Sequence, residues 1–376
     1  MWGSASAAYQ VEGACDVDGK GESIWDFDTH NNPDWFPEGQ NGDVGCDAYH
    51  NTEVDIELLK RQGVNTYRFS ISWPRVLPTG RIDNINEKGL AYYRDLIQKL
   101  KENNIEPLVT MHHWDNPRII EDEGGFLNED IIPAFVDYAT LLFENFGEDV
   151  KWWATFNEPK QTCSGGYDSG GFSPQNLHPG RGAYICAHNL LRAHAKAYRV
   201  YDERFRATQK GKVSMVIDES WVEPATNSSE DILAAERGSL TTYGWYAHPI
   251  VYGVYYPEVM RERVDRRSAE QGLTESKLPS FTEEEKEELK GSCDFLAVNM
   301  YTTVPLIKGR PESRKLVWGQ TFACALTSRT IWRKQYLIVS RWFLGGLAIW
   351  CAEFATLMAT RRASLSLKMD TPIREM

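Results

Sequence analysis

The pentapeptide Thr155-Phe156-Asn157-Glu158-Pro159 places a carboxyl directly after a carboxamide, at the end of a run rich in β-forming residues. A carboxyl there suits general acid catalysis on a glycosidic oxygen, provided that desolvation or a neighbouring carboxylate keeps its proton on at working pH. The same residues also read as a turn that closes a strand, because proline donates no backbone hydrogen bond. Other polar groups sit in or at the ends of short apolar runs: Arg68, His113 with Trp114, and Tyr301. Taken singly, His113 reads as a satisfied core histidine, Arg68 as a buried ion-pair partner and Tyr301 as packing. Four such groups at successive run ends favour one shared site.

The elements that must position them alternate regularly. Thr66–Trp73 alternates apolar and polar residues as a strand does, after a helical stretch over Glu53–Gln62. Glu106–His113 follows a helix-like run over 91–104, and Trp152–Glu158 follows another over 134–147. Lys212–Asp218 follows a helical run through Arg192–Tyr201, and Phe295–Tyr301 follows the acidic stretch 283–291. Strand-then-helix repetition argues for parallel βα units, and about six of them point to a barrel or a doubly wound sheet. No GxGxxG or GxxxxGK[ST] follows any strand, which weakens a nucleotide-binding reading. The expected fold class is therefore α/β, either a doubly wound sheet or a (β/α)8 TIM barrel, and in a barrel the chemistry would collect at the C-terminal ends of the strands.

Composition narrows the partners. The chain has 376 residues with a formal net charge of −12 and no Lys/Arg-rich run, so nucleic acid is not an expected partner. Its 13 Trp, 17 Tyr and 15 Phe fit either a large core or a cleft that stacks flat ligand faces. Seven scattered Cys, without a CxxC pair or metal-ligand spacing, suggest mostly buried thiols rather than a disulfide framework. His188 and His194 lie six apart, which is not a same-face metal spacing, so packing is the better reading. No metal and no organic cofactor is expected. The N-terminus shows no leader pattern; a leader upstream of residue 1 would make the protein extracellular, and the compartment is left open. The apolar stretch Trp342–Ala352 has 11 residues, against roughly 20 needed to span a bilayer, so no membrane span is expected.

TFNEP (155–159) resembles the acid/base motif of glycoside hydrolase family 1, and it does not stand alone. WGSASAAYQVEGA (2–14), GESIWDFDTH (21–30), GDVGCDAYH (42–50), RFSISWPRVLPTG (68–80), HHWDNP (112–117) and GGFLN (124–128) resemble the family in order. So do AHNLLRAHAKAY (187–198), AAERG (234–238), GWYAHPI (244–250), LPSFT (278–282) and DFLAVNMYTT (294–303). The style is that of animal members, those related to lactase-phlorizin hydrolase and the insect myrosinase-like enzymes. The resemblance implies a retaining β-glycosidase, β-glucosidase-like, acting on small-molecule or oligosaccharide β-glycosides without a cofactor. It implies that Glu158 is the acid/base and that Gln10, His113, Trp114 and Asn157 line the sugar pocket, with Asn157 gripping the 2-hydroxyl. It implies that Arg68 and Tyr301 hold the nucleophilic carboxylate ionised.

The likeness stops near Lys308, so residues 1–307 are expected to form a partial barrel and 308–376 a tail unlike the family, with strands seven and eight missing or altered. A retaining mechanism needs a second carboxylate about 5–5.5 Å from the first. The family supplies it in a Thr-Glu-Asn-Gly motif that does not occur here, and the context of Glu353 does not resemble that motif. The chain as written is therefore expected to lack a nucleophile, to begin inside the first strand, and to be inactive and poorly folded. The rival reading is a non-catalytic sugar- or protein-binding member like the klotho ectodomains. The tail also admits a shifted reading frame. Met358–Ala359 and Met369–Asp370 each force a glycine there, and the joins between them allow Gly-Asn-Pro-Pro followed by Thr-Glu-Asn-Gly. Sequencing the DNA across codons 358–370 is expected to spell those motifs in that frame; any other codons end the frame-shift explanation.

Overall fold

The computed structural model describes residues 1–253, 256–308 and 324–326. Seven strands form one sheet in sequence order: β1 (Gly3–Ala5), β2 (Thr66–Ser70), β3 (Glu106–His112), β4 (Trp152–Asn157), β5 (Lys212–Pro224), β6 (Ala297–Lys308) and β7 (Cys324–Leu326). The first five pairings, β1 through β6, are parallel, while β7 runs antiparallel to β6. The parallel part is an incomplete (β/α)8 barrel. The expected strand and helix alternation is present, with shifted boundaries. β2 ends at Ser70 rather than Trp73, because Pro74 in the next helix turns the chain away. β5 and β6 are both longer than expected, extending each other's pairing to Pro224 and Leu306. β6 crosses the boundary expected at 307. The stretch Trp342–Ala352, Glu353 and the tail region open to a shifted frame lie outside the described residues.

The helices are α1 (Ala8–Val11), α2 (Ile24–Asn31), α3 (Thr52–Gln62), α4 (Trp73–Val76), α5 (Glu87–Glu102), α6 (Arg118–Asp122) and α7 (Ile131–Phe146). After them come α8 (Pro159–Ser164), α9 (Gly182–Arg204), α10 (Arg206–Gln209), α11 (Ser229–Tyr252), α12 (Glu258–Glu270) and α13 (Glu283–Leu289). Among the described residues, no helix is long and apolar enough to cross a membrane. Their buried stripes explain why they form and where they dock. In α5, Leu90, Tyr93, Ile97 and Leu100 recur at three and four residues and are buried. α7 does the same with Ile131, Phe135, Tyr138, Leu142 and Phe146. The Asn86 side chain accepts from Lys88 N to start α5, and Gly63 at φ 69° ends α3 in a conformation that suits glycine.

Packing fixes the strand ends. The Tyr138 hydroxyl donates to the carbonyls of Ile71 (3.0 Å) and Met111 (2.8 Å), tying the chain after β2 to β3 through α7. Phe135 stacks on Phe156 with ring centroids 4.2 Å apart, so α7 also presses on the strand that carries Glu158. At the N-terminal side, Glu12 accepts from Arg75 Nε (2.8 Å) and from the Tyr93 hydroxyl (2.6 Å), and Arg75 also donates to the Gly13 carbonyl. This buried pair anchors the first segment of the chain to α4 and α5.

The cysteine expectation needs correction. Cys163 and Cys186 form a disulfide between α8 and α9, with Cα atoms 5.3 Å apart. Nor are the free thiols among the described residues buried: Cys46 is exposed, and Cys15 and Cys293 are partly exposed. Pairing of residues 23 apart depends on how two helices pack, which spacing alone does not reveal. His188 and His194 are both buried. His188 stacks on Phe281, while His194 bridges the Thr155 hydroxyl and the Ser292 carbonyl, each at 2.7 Å.

Removing one member of a buried ion pair strands the other charge, at a cost of about 3–5 kcal/mol. Glu12→Ala should therefore lower unfolding stability by about that amount in urea denaturation, with the slope unchanged; a loss below about 1 kcal/mol would show that Arg75 finds other compensation.

Candidate active site

Strand β2, the end of β4, the start of β6 and the turn after β3 converge on the Asn157 carboxamide. Its Oδ1 accepts from Arg68 Nη2 (2.5 Å) and Asn299 Nδ2 (3.1 Å), while its Nδ2 faces His113 Nε2 at 3.1 Å. Arginine can only donate, so the amide orientation is fixed and His113 Nε2 must accept. The ring proton then sits on Nδ1, a buried atom with no hydrogen-bond partner among the described residues. Burial pushes His113 down to about 3, helped by the Arg68 charge. Trp114 closes the same corner. Its backbone has φ 70°, its indole donates to the Asn157 carbonyl (2.8 Å), and its ring lies 5.1 Å from Phe172.

Glu158 follows immediately and leaves the strand. It adopts the left-handed conformation (φ 48°, ψ 62°), its N–H donates to Val216 O at 2.8 Å, and Pro159 starts α8. This turn ends β4 one residue earlier than expected and swings the carboxyl over the strand end. Oε1 accepts from Asn299 Nδ2 at 2.5 Å and from the Tyr301 hydroxyl at 3.4 Å. Glu158 is 8 % exposed, and burial raises its pKa above the usual glutamate value. The Asp218 carboxylate raises it too, against the lowering by Asn299, Tyr301 and Arg68.

Arg68 is the electrostatic counterpart. Its three described side-chain partners, Thr110 Oγ1 (2.9 Å), Asn157 Oδ1 and Asn299 Oδ1 (3.4 Å), are all neutral. Among the described residues it has no ion pair, and burial lowers its pKa to about 10. A desolvated cation with only neutral acceptors is a natural seat for an anion. Tyr301, although 75 % exposed, keeps its hydroxyl against Glu158. The expected residues Arg68, His113, Trp114, Asn157, Glu158 and Tyr301 are thus brought together. Gln10 is exposed on α1 and makes no hydrogen bond to this group.

Sequence reading missed Asn299, Thr110 and Asp218. Asn299 bonds Asn157 and Glu158 together, yet it sits inside the run FLAVNMY, read only as a strand. Its signal was parity: Asn299 and Tyr301, two apart on one strand, share a face. Elsewhere, Cys15, His30 and Asp43 bring ligand-type atoms within 4.8 Å of one another, but His30 and Asp43 already pair at 2.7 Å near the surface.

The sequence profile described as Glycosyl hydrolase family 1 matches residues 1–322. Myrosinase 1 of Brevicoryne brassicae is 44% identical over 304 residues, which cover 81% of this chain and 65% of the myrosinase. Cytosolic beta-glucosidase of Homo sapiens is 45% identical over 303 residues, covering 80% of this chain and 65% of that protein. The chain thus spans just under two thirds of the length of these relatives. Among solved structures, aphid myrosinase superposes with a TM-score of 0.83 at 42% identity, covering 88% of this chain and 71% of that one. A rice beta-glucosidase mutant in covalent complex with Glc superposes at 0.78 with 36% identity, covering 86% and 66%.

His113 should stay neutral across the physiological range. With its folded pKa pushed below the ordinary 6.5, its contribution to stability is complete above that value and is lost as pH falls toward about 3. Two-dimensional 15N NMR should show the Nδ1–H tautomer and no titration above about pH 5; a midpoint near 6.5 would mean that the Asn157–His113 contact is absent in solution.

Proposed function

We infer, for a chain that belongs to Glycosyl hydrolase family 1, that this site is the acid/base side of a retaining β-glycosidase centre of the β-glucosidase type. One observation carries the reading: a carboxyl that burial inclines to keep its proton, Glu158, stands across Asn157 and Asn299 from a desolvated guanidinium, Arg68, that makes no ion pair among the described residues. Two environments that push ionisation apart are what a double displacement asks for: a protonated acid for the leaving oxygen, and a cationic seat for an ionised nucleophile. In this reading Glu158 protonates the glycosidic oxygen while a carboxylate beside Arg68 and Tyr301 attacks the anomeric carbon. Glu158, now ionised, then takes a proton from water as the water displaces the sugar. Asn157, fixed by three partners, would grip the 2-hydroxyl, with His113, Trp114 and Gln10 around the remaining sugar. The substrates would be terminal β-linked sugars on aryl, alkyl or oligosaccharide aglycones. The rice relative captured in covalent complex with Glc supports a covalent intermediate for this fold.

A second reading, a sugar- or protein-binding pseudoenzyme, draws on the lack of Thr-Glu-Asn-Gly in residues 1–376. The two part on one experiment. Full-length protein is given aryl β-glucosides of graded leaving-group acidity, with products followed by NMR and binding by calorimetry. The catalytic reading expects the β-anomer first. It also expects Glu158→Gln to cost about 10²–10⁴-fold on poor leaving groups and far less on activated ones. An α-anomer appearing first, or equal loss on both classes, overturns it; glycoside binding with no turnover favours the pseudoenzyme.

A further inference from the structure

Asp218 lies in β5 directly abreast of Asn299 in β6, the residue that donates to Glu158. Its carboxylate is 6 % exposed and is gripped from one side only. Oδ2 pairs with Lys160 Nζ at 2.6 Å and accepts from Gln161 Nε2 at 2.8 Å, whereas Oδ1 is buried with no hydrogen-bond partner among the described residues. Lys160 and Gln161 are the second and third residues after Glu158, in the first turn of α8. The clasp therefore acts on the short segment that begins with the left-handed turn at Glu158.

We propose that Asp218 is a positioning residue for Glu158, holding the first turn of α8 through Lys160 and Gln161 and placing a fixed negative charge beside the Glu158 carboxyl. The inference rests on the reading of Glu158 as an acid/base.

The mechanics follow from the backbone. A non-glycine residue at φ 48° lies outside its favoured region and persists only when its surroundings hold it there. Pro159 occupies the first position of α8, where its missing donor costs no helical hydrogen bond and its fixed φ suits the start of a helix. The two side-chain contacts to β5 add to the backbone bonds that Glu158 makes with Val216, Gln161 and Thr162, and together they fix where α8 begins. The charge acts in the same sense as burial. Facing Glu158 are Arg68 from β2, Asp218 from β5 and Tyr301 from β6. Facing Asp218 are Lys160 from α8, Glu219 on its own strand, Tyr246 from α11 and Tyr301. Of these, only Asp218 is a carboxylate acting on Glu158, so it opposes loss of the Glu158 proton while Lys160 limits how strongly it does so.

This predicts opposite effects from the two ends of one ion pair. The readout is the Glu158 side-chain carboxyl resonance of the full-length chain, 13C-labelled at glutamate and assigned by its loss in Glu158→Gln. Asp218→Asn keeps an acceptor for Gln161 but removes the charge, and should weaken Glu158 proton affinity by roughly three- to tenfold. Lys160→Met leaves the Asp218 charge uncompensated and should move the same titration upward. An unmoved titration in Asp218→Asn, or movement in one direction in both variants, overturns the proposal. If Asp218→Asn fails to fold, the Lys160→Met direction still decides it, a downward or absent shift counting against. Titration needs no turnover, so the two failures are distinguishable: a chain that binds or hydrolyses no glycoside refutes the glycosidase reading, whereas an unmoved titration refutes the positioning alone.

Discussion

The carboxamide of Asn157 is the contact on which the candidate site depends. It is 1 % exposed and bonded to Arg68, Asn299 and His113, which come from β2, β6 and the turn after β3. A buried amide left unpaired costs about 1–3 kcal/mol, and this one is paired only when all four chain segments are in register. The parallel ladder supplies that register, with Arg68 opposite Leu108 in β3 and Asn157 opposite Val216 in β5. The core behind the sheet holds it, chiefly Phe156 under Phe135 and the Tyr138 hydroxyl bridging the ends of two strands.

From that fixed point the electrostatics follow. Desolvation works against every ionised group in the corner, and each answers according to its sign. His113 stays neutral and becomes an acceptor, Glu158 is drawn toward its protonated form, and Arg68 remains a cation surrounded by neutral oxygens. The hydrogen-bond donors on Glu158 temper the effect without reversing it. The corner is therefore polarised, with a proton held on one side and an unmatched positive charge on the other.

The turn that carries Glu158 is also braced through α8, from α9 and from β5. The Cys163–Cys186 bond ties the end of the α8 region to the long helix α9, and Asp218 grips its beginning. α9 is itself locked to the sheet, since His194 bonds the Thr155 hydroxyl of β4 and the Ser292 carbonyl. A residue in a left-handed conformation at a strand end needs such surroundings to stay there.

Much of this was legible in the sequence for a definite reason. Periodicity of two and of 3.6 is written along the chain, so the βα alternation could be read from Thr66 onward, and local motifs such as TFNEP mark which strand ends carry polar groups. Those motifs identified Arg68, His113, Trp114, Asn157, Glu158 and Tyr301 as one set. What they could not carry is anything set by distance between segments far apart in the chain. Asn299 looked like one polar residue in a strand until the β5–β6 pairing set it beside Asp218 and against Glu158. Cys163 and Cys186 looked like scattered thiols until α8 packed on α9, and Gln10, named by motif, makes no hydrogen bond to that group. Residue types and their local period are properties of the sequence. The pairing of a carboxyl with its neighbours, and with it the proton affinity of Glu158, belongs to the tertiary structure, because desolvation and Coulomb interactions depend on distances that only the folded chain defines.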